Sequence, residues 1–410
     1  MGKLYINLKR LKIEFLILIL YIPFFKPGYF SQIQIIDTLY MILYIFSLFC
    51  TLAMVLNRII RNGYGINSSN LFATTYSIVL VLSSLINDVE VIRAINESVR
   101  VIGVFLLTDM IIRRYTKTFL NVISRLFVVL SLINIVLMLI YPDGMYLNIQ
   151  KEIVRDNLYG AWYSNNDFLG FQNNHIFYYI PAILFTYIKE KLSGNERKNN
   201  YICMSLICYG AVIYRFKAGT IISMTIFLGL LILTSERSMC IFLNALSYLV
   251  ANIVLFVSIV MLRIQRIFSW LIVKILHKDL TLTNRTGIWD EALNSIKKNL
   301  LLGCGYENAK VVVAKLGYNS THSHYLWVLY RGGILQLAIF IWYLVKISKD
   351  MFRARRNRIV QATACAVCAI LIAWQTEAIT SATIFFILAF AYHAPRIEWE
   401  VTCNESCSSD

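Results

Sequence analysis

Apolar residues dominate the chain in long runs. "FLILILYIPFF", "VVLSLINIVLMLIY" and "AIFIWYLV" are three among many, and short polar stretches separate them. Each run approaches the roughly 20 residues that an α-helix needs to cross a bilayer. The pattern predicts about twelve spans, near 13–30, 38–57, 71–87, 98–112, 119–141, 171–188, 200–214, 218–234, 239–262, 321–345, 359–375 and 378–394. The start, "MGKLYINLKRLKIEFLILIL", is basic and then apolar with no small-residue cleavage site, so it reads as a retained first span.

Composition agrees with this layout. Of the 410 residues, 58% are hydrophobic and 15% charged, and the mean hydropathy is +0.62. A soluble domain is nearer half apolar and a quarter charged. The expected fold is therefore an all-α integral membrane protein, with residues 1–410 forming one polytopic domain. No internal repeat or low-complexity segment stands out.

The net charge of +16 raises the question of nucleic acid. Lysine and arginine sit instead at the ends of apolar runs, where they set topology. With the N-terminus in the cytoplasm, alternate connections hold Arg58 and Arg61; Arg113, Arg114 and Lys117; Lys189, Lys191, Arg197 and Lys198; Arg237; and the run from Lys346 to Arg358. Both termini then lie inside, with 395–410 as a cytoplasmic tail. Two long connections lie outside, 142–170 and 263–320. No nucleic-acid partner is expected. Cys365 and Cys368 form C-x-x-C inside an apolar run without a second pair, which favours packing over metal or redox chemistry. No metal or cofactor site is expected.

Within the second external loop, "TNRTGIWDEALNSIKKN" (283–299) reads as a helix. Thr286 suits its N-cap, Asp290 and Glu291 its first turn, and Lys297 and Lys298 its last. Ile288, Trp289, Ala292, Leu293, Ile296 and Leu300 form an apolar stripe for the membrane surface or the top of the bundle. "GCGY" (303–306) follows a helix instead of a strand and reads as a turn.

Polar groups gather on the outer side of this layout. Arg215 and Lys217 occupy the tight turn "YRFKAGT", Arg285 opens the loop helix, and His322 and His324 stand at the mouth of span ten. Cations beside an imidazole suit a single kind of chemistry, in which an anionic leaving group is held while a proton moves. Were 321–345 helical from its first turn, His322 and His324 would point about 200° apart, and one alone would face the cavity. Glu377, between the last two spans, reads as an ordinary turn residue. Arg331 falls inside span ten, so either it meets a polar interior or that boundary is misplaced. No H-E-x-x-H, G-x-S-x-G or P-loop is present.

"NRTGIWDEAL", "LLGCGYENA" and "THSHYLWVLYRGGI" together resemble the large-loop signature of the O-antigen polymerase and O-antigen ligase superfamily. In that register Arg285 and Trp289 match its start, His322 its histidine, Tyr325 and Leu326 its Tyr-Leu, and Gly333 its glycine. "FLGFQNNHIFYYIPAI" (168–183) and "RFKAGTIISMTI" (215–226) resemble segments of capsular polymerases. Either Asn174 or His175 fits the first of these, and Lys217 better than Arg215 fits the cation of the second. Ser323 departs from the family's asparagine.

The resemblance implies a metal-independent, inverting glycosyltransferase of C-type architecture in the bacterial cytoplasmic membrane, without cofactors. Its implied substrate is an undecaprenyl-diphosphate-linked oligosaccharide, and a chain-length regulator and a flippase are implied as partners. Arg215, Lys217 and Arg285 would hold the pyrophosphate, and His322 would help deprotonate the acceptor. His324, Tyr325, Trp289 and Asn174 or His175 would support the acceptor side. A chain rich in Ile, Asn, Lys and Tyr points to an AT-rich genome, and the capsule-like segments favour a Gram-positive repeat-unit polymerase. A ligase shares the signature. A polysaccharide flippase or transporter is the non-enzymatic alternative, against which the one-sided polar groups speak.

Overall fold

The computed structural model describes residues 8–62, 65–150, 162–193, 199–262, 285–378 and 382–397. The tail from 398 and the first part of the external loop, 263–284, lie outside the described residues. The first nine helices run as α1 (Leu8–Tyr21), α2 (Gln34–Asn62), α3 (Ser68–Ile86), α4 (Val91–Ile140), α5 (Ile176–Leu192), α6 (Asn200–Arg215), α7 (Ala218–Leu228), α8 (Glu236–Ile241) and α9 (Ala245–Leu255). Then come α10 (Arg285–Lys298), α11 (Ala309–Leu316), α12 (His324–Arg353), α13 (Arg358–Ala373) and α14 (Ala382–His393).

The architecture is helical, as the apolar runs predict. Among the described residues, four helices are long and apolar enough to cross a membrane: Gln34–Arg61, Ser68–Ile86, Val91–Ile140 and His324–Arg353. Helix α4 breaks at Tyr115 (φ −137°, ψ 39°), inside the basic connection predicted between spans four and five. Each half is then about 36 Å long at 1.5 Å per residue. Aromatic side chains of α1, α4, α5 and α14 knit the centre. Phe127 stacks on Phe185 at 6.2 Å, and Phe386 meets both.

Helix α12 departs from the predicted span 321–345. Its helical run starts at His324, and Gly333 (φ +64°, ψ −166°) breaks it again. Residues 300–305 enter this break as a strap. Ile334 and Leu335 donate backbone bonds to Leu300 and Leu301, while Cys304 and Gly305 donate to Tyr330 and Arg331. A Cβ on Gly333 would lie 2.2 Å from the Leu301 carbonyl oxygen, so only glycine fits both the φ and the space. The GCGY turn has the same logic: Gly303 and Gly305 both have positive φ. After this break α12 runs on from Ile334 to Arg353, apolar as far as Val345 and basic from Lys346 onward. Arg331 stands before it, 2.9 Å from Glu97 and stacked on Tyr306 and Trp327 at 4.0 and 4.2 Å.

The loops carry structure that hydropathy did not reveal. Strands β1 (Tyr146–Gln150) and β2 (Trp162–Asn166) pair antiparallel within the first long connection. Helix α11 follows α10 in the second. The α10 stripe packs on the bundle top: Ile288, Trp289, Ala292 and Ile296 are buried with Leu326, Trp327 and Tyr330 of α12, whereas Leu300 is half exposed. Thr286 is the second residue of α10 and not its cap. The connections form two bonded groups. At one end, Tyr29 bonds Phe168, Asn87 bonds Gly303, and Asn173 bonds Glu377. At the other, Asp109 accepts from Asn67 and Arg113 and lies 3.5 Å from His393.

Candidate active site

Arg285 is the first described residue of α10 and points at the turn after α13. Its guanidinium donates to the Thr376 carbonyl and, at 2.8 Å, to Glu377 Oε1. Asn173 donates to the same carboxylate oxygen at 2.7 Å. Glu377 is thus the hinge of the site and not an ordinary turn residue.

One helical turn beyond Arg285, on the same face, lies Trp289. It is fully buried, and its indole N–H donates to the Thr321 carbonyl at 3.0 Å. This bond holds the 318–323 loop against α10 and brings His322 beside Arg285. His322 itself has φ +48°, a left-handed conformation that is uncommon outside glycine. Ser323 is extended (φ −147°, ψ 122°). The helical-wheel separation of the two histidines therefore does not hold, because helix begins only at His324.

The two imidazoles differ in another way. His322 is half-buried against Tyr318, at 5.6 Å between ring centres. Burial pushes its pKa down to about 3, and the nearby Arg285 charge pushes the same way. The imidazole is neutral at pH 7 and has a lone pair to accept a proton. His324 is fully buried, stacked on Trp374 at 4.1 Å, and neither ring nitrogen has a hydrogen-bond partner among the described residues. Tyr325 is buried too and donates to the Leu371 carbonyl at 3.2 Å.

The second cationic element is the α6–α7 turn. Phe216 is left-handed (φ +44°) and reverses the chain between Arg215 and Lys217. Arg215 is committed inward. Its Nε donates to Asp167 Oδ2 at 3.0 Å, a second N–H reaches Asp167 Oδ1, and the rest of the fork reaches the carbonyls of Tyr141 and Pro142. Asp167 is fully buried; burial raises its pKa, and Arg215 and then Lys217 oppose that rise. His175 lies 3.6 Å from Asp167 and near Asn134 and the Gly170 carbonyl. It is part of this buried clasp. Of "QNNH", Asn173 reaches Glu377, while Asn174 ends the short 3-10 turn beside it.

Lys217 sits at the N-cap position of α7, where helix dipole and cation together favour an anion. A Cβ on Gly219 would lie 3.1 Å from Thr376 Oγ1, so α7 starts against the turn that Arg285 grips from its other side. Arg285 and Glu377 thus meet at the 376–377 turn, His322 feels the Arg285 charge, and α7, with Lys217 at its N-cap, begins against Thr376. Asp167 and Asn173 were not singled out from the sequence, and Glu377 was read there as a turn residue. Their partners lie 48, 204 and 92 residues away along the chain, so no local spacing marks them.

Among the described residues no group of three His, Cys, Asp or Glu has a metal-holding arrangement. No curated protein and no solved structure is matched by the chain. Residues 202–341, about a third of the chain, match the family model described as O-antigen ligase. That segment holds Arg215, Lys217, Arg285 and His322, of which Arg285 bonds the turn at 376–377 beyond its end, and across it the chain carries a domain of the O-antigen polymerase and ligase superfamily.

Proposed function

We propose that the chain polymerises undecaprenyl-diphosphate-linked oligosaccharide repeat units at the outer face of the cytoplasmic membrane, making capsular or exopolysaccharide. The observation that supports this reading is that Arg285 lies beside His322 and grips the 376–377 turn, against which α7, with Lys217 at its N-cap, also begins. The matched family supports the coarser statement, transfer of lipid-linked glycan by a membrane glycosyltransferase.

In the proposed reaction the donor diphosphate lies between Arg285 and Lys217, next to the α7 N-terminus. Arg215 stays in its clasp with Asp167 and fixes the turn that presents Lys217. Glu377 and Asn173 aim Arg285. The acceptor hydroxyl oxygen bonds to the anomeric carbon from the face opposite the diphosphate, and configuration inverts. The carbon–oxygen bond to the diphosphate breaks, and the leaving group takes the electron pair. His322 accepts the hydroxyl proton. Cations contribute most as charge develops on the leaving diphosphate, so no metal or cofactor is required in this scheme.

A ligase reading, in which the glycan passes to a different carrier, is favoured by the description of the matched family itself. Lipid-linked glycans in a deletion strain separate the two. Single repeat units accumulate if the chain is a polymerase, and long lipid-linked polymers accumulate if it is a ligase. Unchanged lipid-linked glycans would remove both readings. Arg285→Ala and Lys217→Ala are each expected to cut polymer about a hundredfold, the scale of losing one charge-assisted phosphate contact. Normal polymer from both, at native expression, would make these residues topology charges only.

A further inference from the structure

The helices beside the α6–α7 turn are short. Helix α6 has 16 residues, about 24 Å at 1.5 Å per residue. Helix α7 runs on as a π-helical turn, and Ala218–Leu233 has the same length. Ala245–Met261, α9 with its own π-helical end, is one residue longer. None of the three carries a charged residue before the Arg215 that ends α6. Their ends are fixed. The α6–α7 turn is tied to the site end of the bundle by Arg215 on Asp167 and by Gly219 against Thr376. Just past α7, Cys240 Sγ lies 3.4 Å from the Arg355 carbonyl, in the turn at the far end of α12. Helix α7 thus crosses the bundle in about 24 Å, whereas a hydrocarbon core is about 30 Å thick. Tilt shortens the reach further and cannot close the gap.

Aromatic and cationic side chains mark both edges of this band. At the site end Tyr214 is half exposed, with Arg215 over its ring at 5.5 Å. At the other end of α6, Tyr201 meets Tyr187 at 5.1 Å, and Lys191 lies 5.6 Å over the Tyr187 ring. Tyrosines of this kind sit at headgroup level, and Tyr201 and Tyr214 are only about 20 Å apart along α6. Between them Leu206, Ile207 and Ile213 are exposed, as are Val250, Ile253 and Val254 of α9. Helix α2 is different. Its residues 38–57 are uncharged between Asp37 and Arg58, about 30 Å, with Phe49 exposed near the middle.

We propose that α6, α7 and α9 hold a locally thinned bilayer, about 6 Å thinner than at α2, and that the acyl chains against this face belong to shorter lipids. A full-thickness core would bury Arg215, Lys217 and the polar turns in hydrocarbon, which costs more than compressing acyl chains. The headgroup plane then dips to the α6–α7 turn. Its use rests on the transfer reading, since it seats a lipid diphosphate at the level of Lys217. The thinning itself does not, and the test reads lipids alone.

Leu206→Trp and Phe49→Trp place a reporter at the middle of α6 and of α2, both at exposed positions, and the seven native tryptophans are common to both chains. Each chain is reconstituted in phosphatidylcholine vesicles containing brominated dimyristoleoyl- or dioleoyl-phosphatidylcholine, and the quenching added by the new tryptophan is measured. At Leu206→Trp the shorter lipid should be favoured about threefold; at Phe49→Trp it should not be favoured. Asn199→Leu/Asn200→Leu, at exposed positions away from the site, lengthens the apolar band of α6 and should bring the preference at Leu206→Trp close to unity. The same preference at both reporters would overturn the proposal, as would a preference for the dioleoyl lipid at α6. So would an unchanged preference in the lengthened chain, which would mean that band length does not set it.

Discussion

His322 and Phe216 are two of the three non-glycine residues with left-handed φ among those described, and both sit in the candidate site. Such strain persists only where surrounding structure enforces it, here the Trp289–Thr321 bond and the Arg215–Asp167 clasp. His322→Ala should therefore lose polymer and accumulate single lipid-linked units, with the melting temperature of the purified chain almost unchanged. His324→Ala should do the reverse. It empties the space under Trp374 and costs about 2 kcal/mol or more, while polymer forms at permissive temperature. A lipid-linked oligosaccharide profile beside a melting curve for both variants distinguishes the roles; a dead His324→Ala with native stability would shift the proposed base by two residues. The pH profile follows from burial. An ordinary histidine loses its proton near pH 6.5, but His322 loses it near 3, so it is already neutral through the weakly acidic range. In reconstituted vesicles kcat/KM should show no histidine limb between about pH 5.5 and 7.5. A limb near 6.5 would mean that the imidazole is hydrated and away from Arg285.

At the scale of elements, the α6–α7 turn and the strap into α12 decide how the site is held. The spacing from Arg285 to Trp289 was legible in the sequence because four residues on a helix share a face. The reason for it was not, since the partner, Thr321, lies 32 residues on. Arg215 and Lys217 read alike in sequence, as two cations in one turn; in the structure Arg215 bonds both oxygens of the buried Asp167, while Lys217 acts on it through charge and stands at the N-cap of α7. Arg215→Ala would strand Asp167 without its partner and cost about 3–5 kcal/mol, visible as less inserted protein and a lower melting temperature. Lys217→Ala should keep both and lose activity. Equal, normal stability in the two variants would count against the clasp. The predicted edge at residue 321 lies three residues before the helix that begins at His324; hydropathy runs unbroken across Gly333 and so did not show the break there, where the backbone turns. Gly333→Ala must accommodate both a positive φ and the Leu301 carbonyl. A loss of about 2–3 kcal/mol is expected, with activity falling together with stability because the strap sets α10. A chain that melts normally would show that the strap is dispensable.

At the scale of the molecule, the charge pattern and the hydrogen bonds point to the same arrangement from independent premises. The positive-inside rule uses only lysine and arginine in connections. The contacts use only geometry, and they tie residues 26–33, 87–90, 141–150, 162–175, 215–219, 285–308 and 374–377 into one cluster. Each of those segments lies in, or borders, an extracytoplasmic connection in the layout drawn from charge. The arginine turn 353–358 and the buried Asp109 cluster fall at the other end, where the same layout places cytoplasm. A transporter would instead concentrate its polar groups midway along the spans. Here Arg285, Lys217 and His322 all lie at helix mouths, and Arg331, about two turns into α12, pairs with Glu97 near the start of α4. Reporter tags in 192–199 and 350–357 should therefore read cytoplasm, and a tag in 306–318 should read outside. An outside signal from 350–357 would turn the bundle over. It would put Arg285, Lys217 and His322 at the cytoplasmic face, and the proposed transfer at the outer face would fail with it.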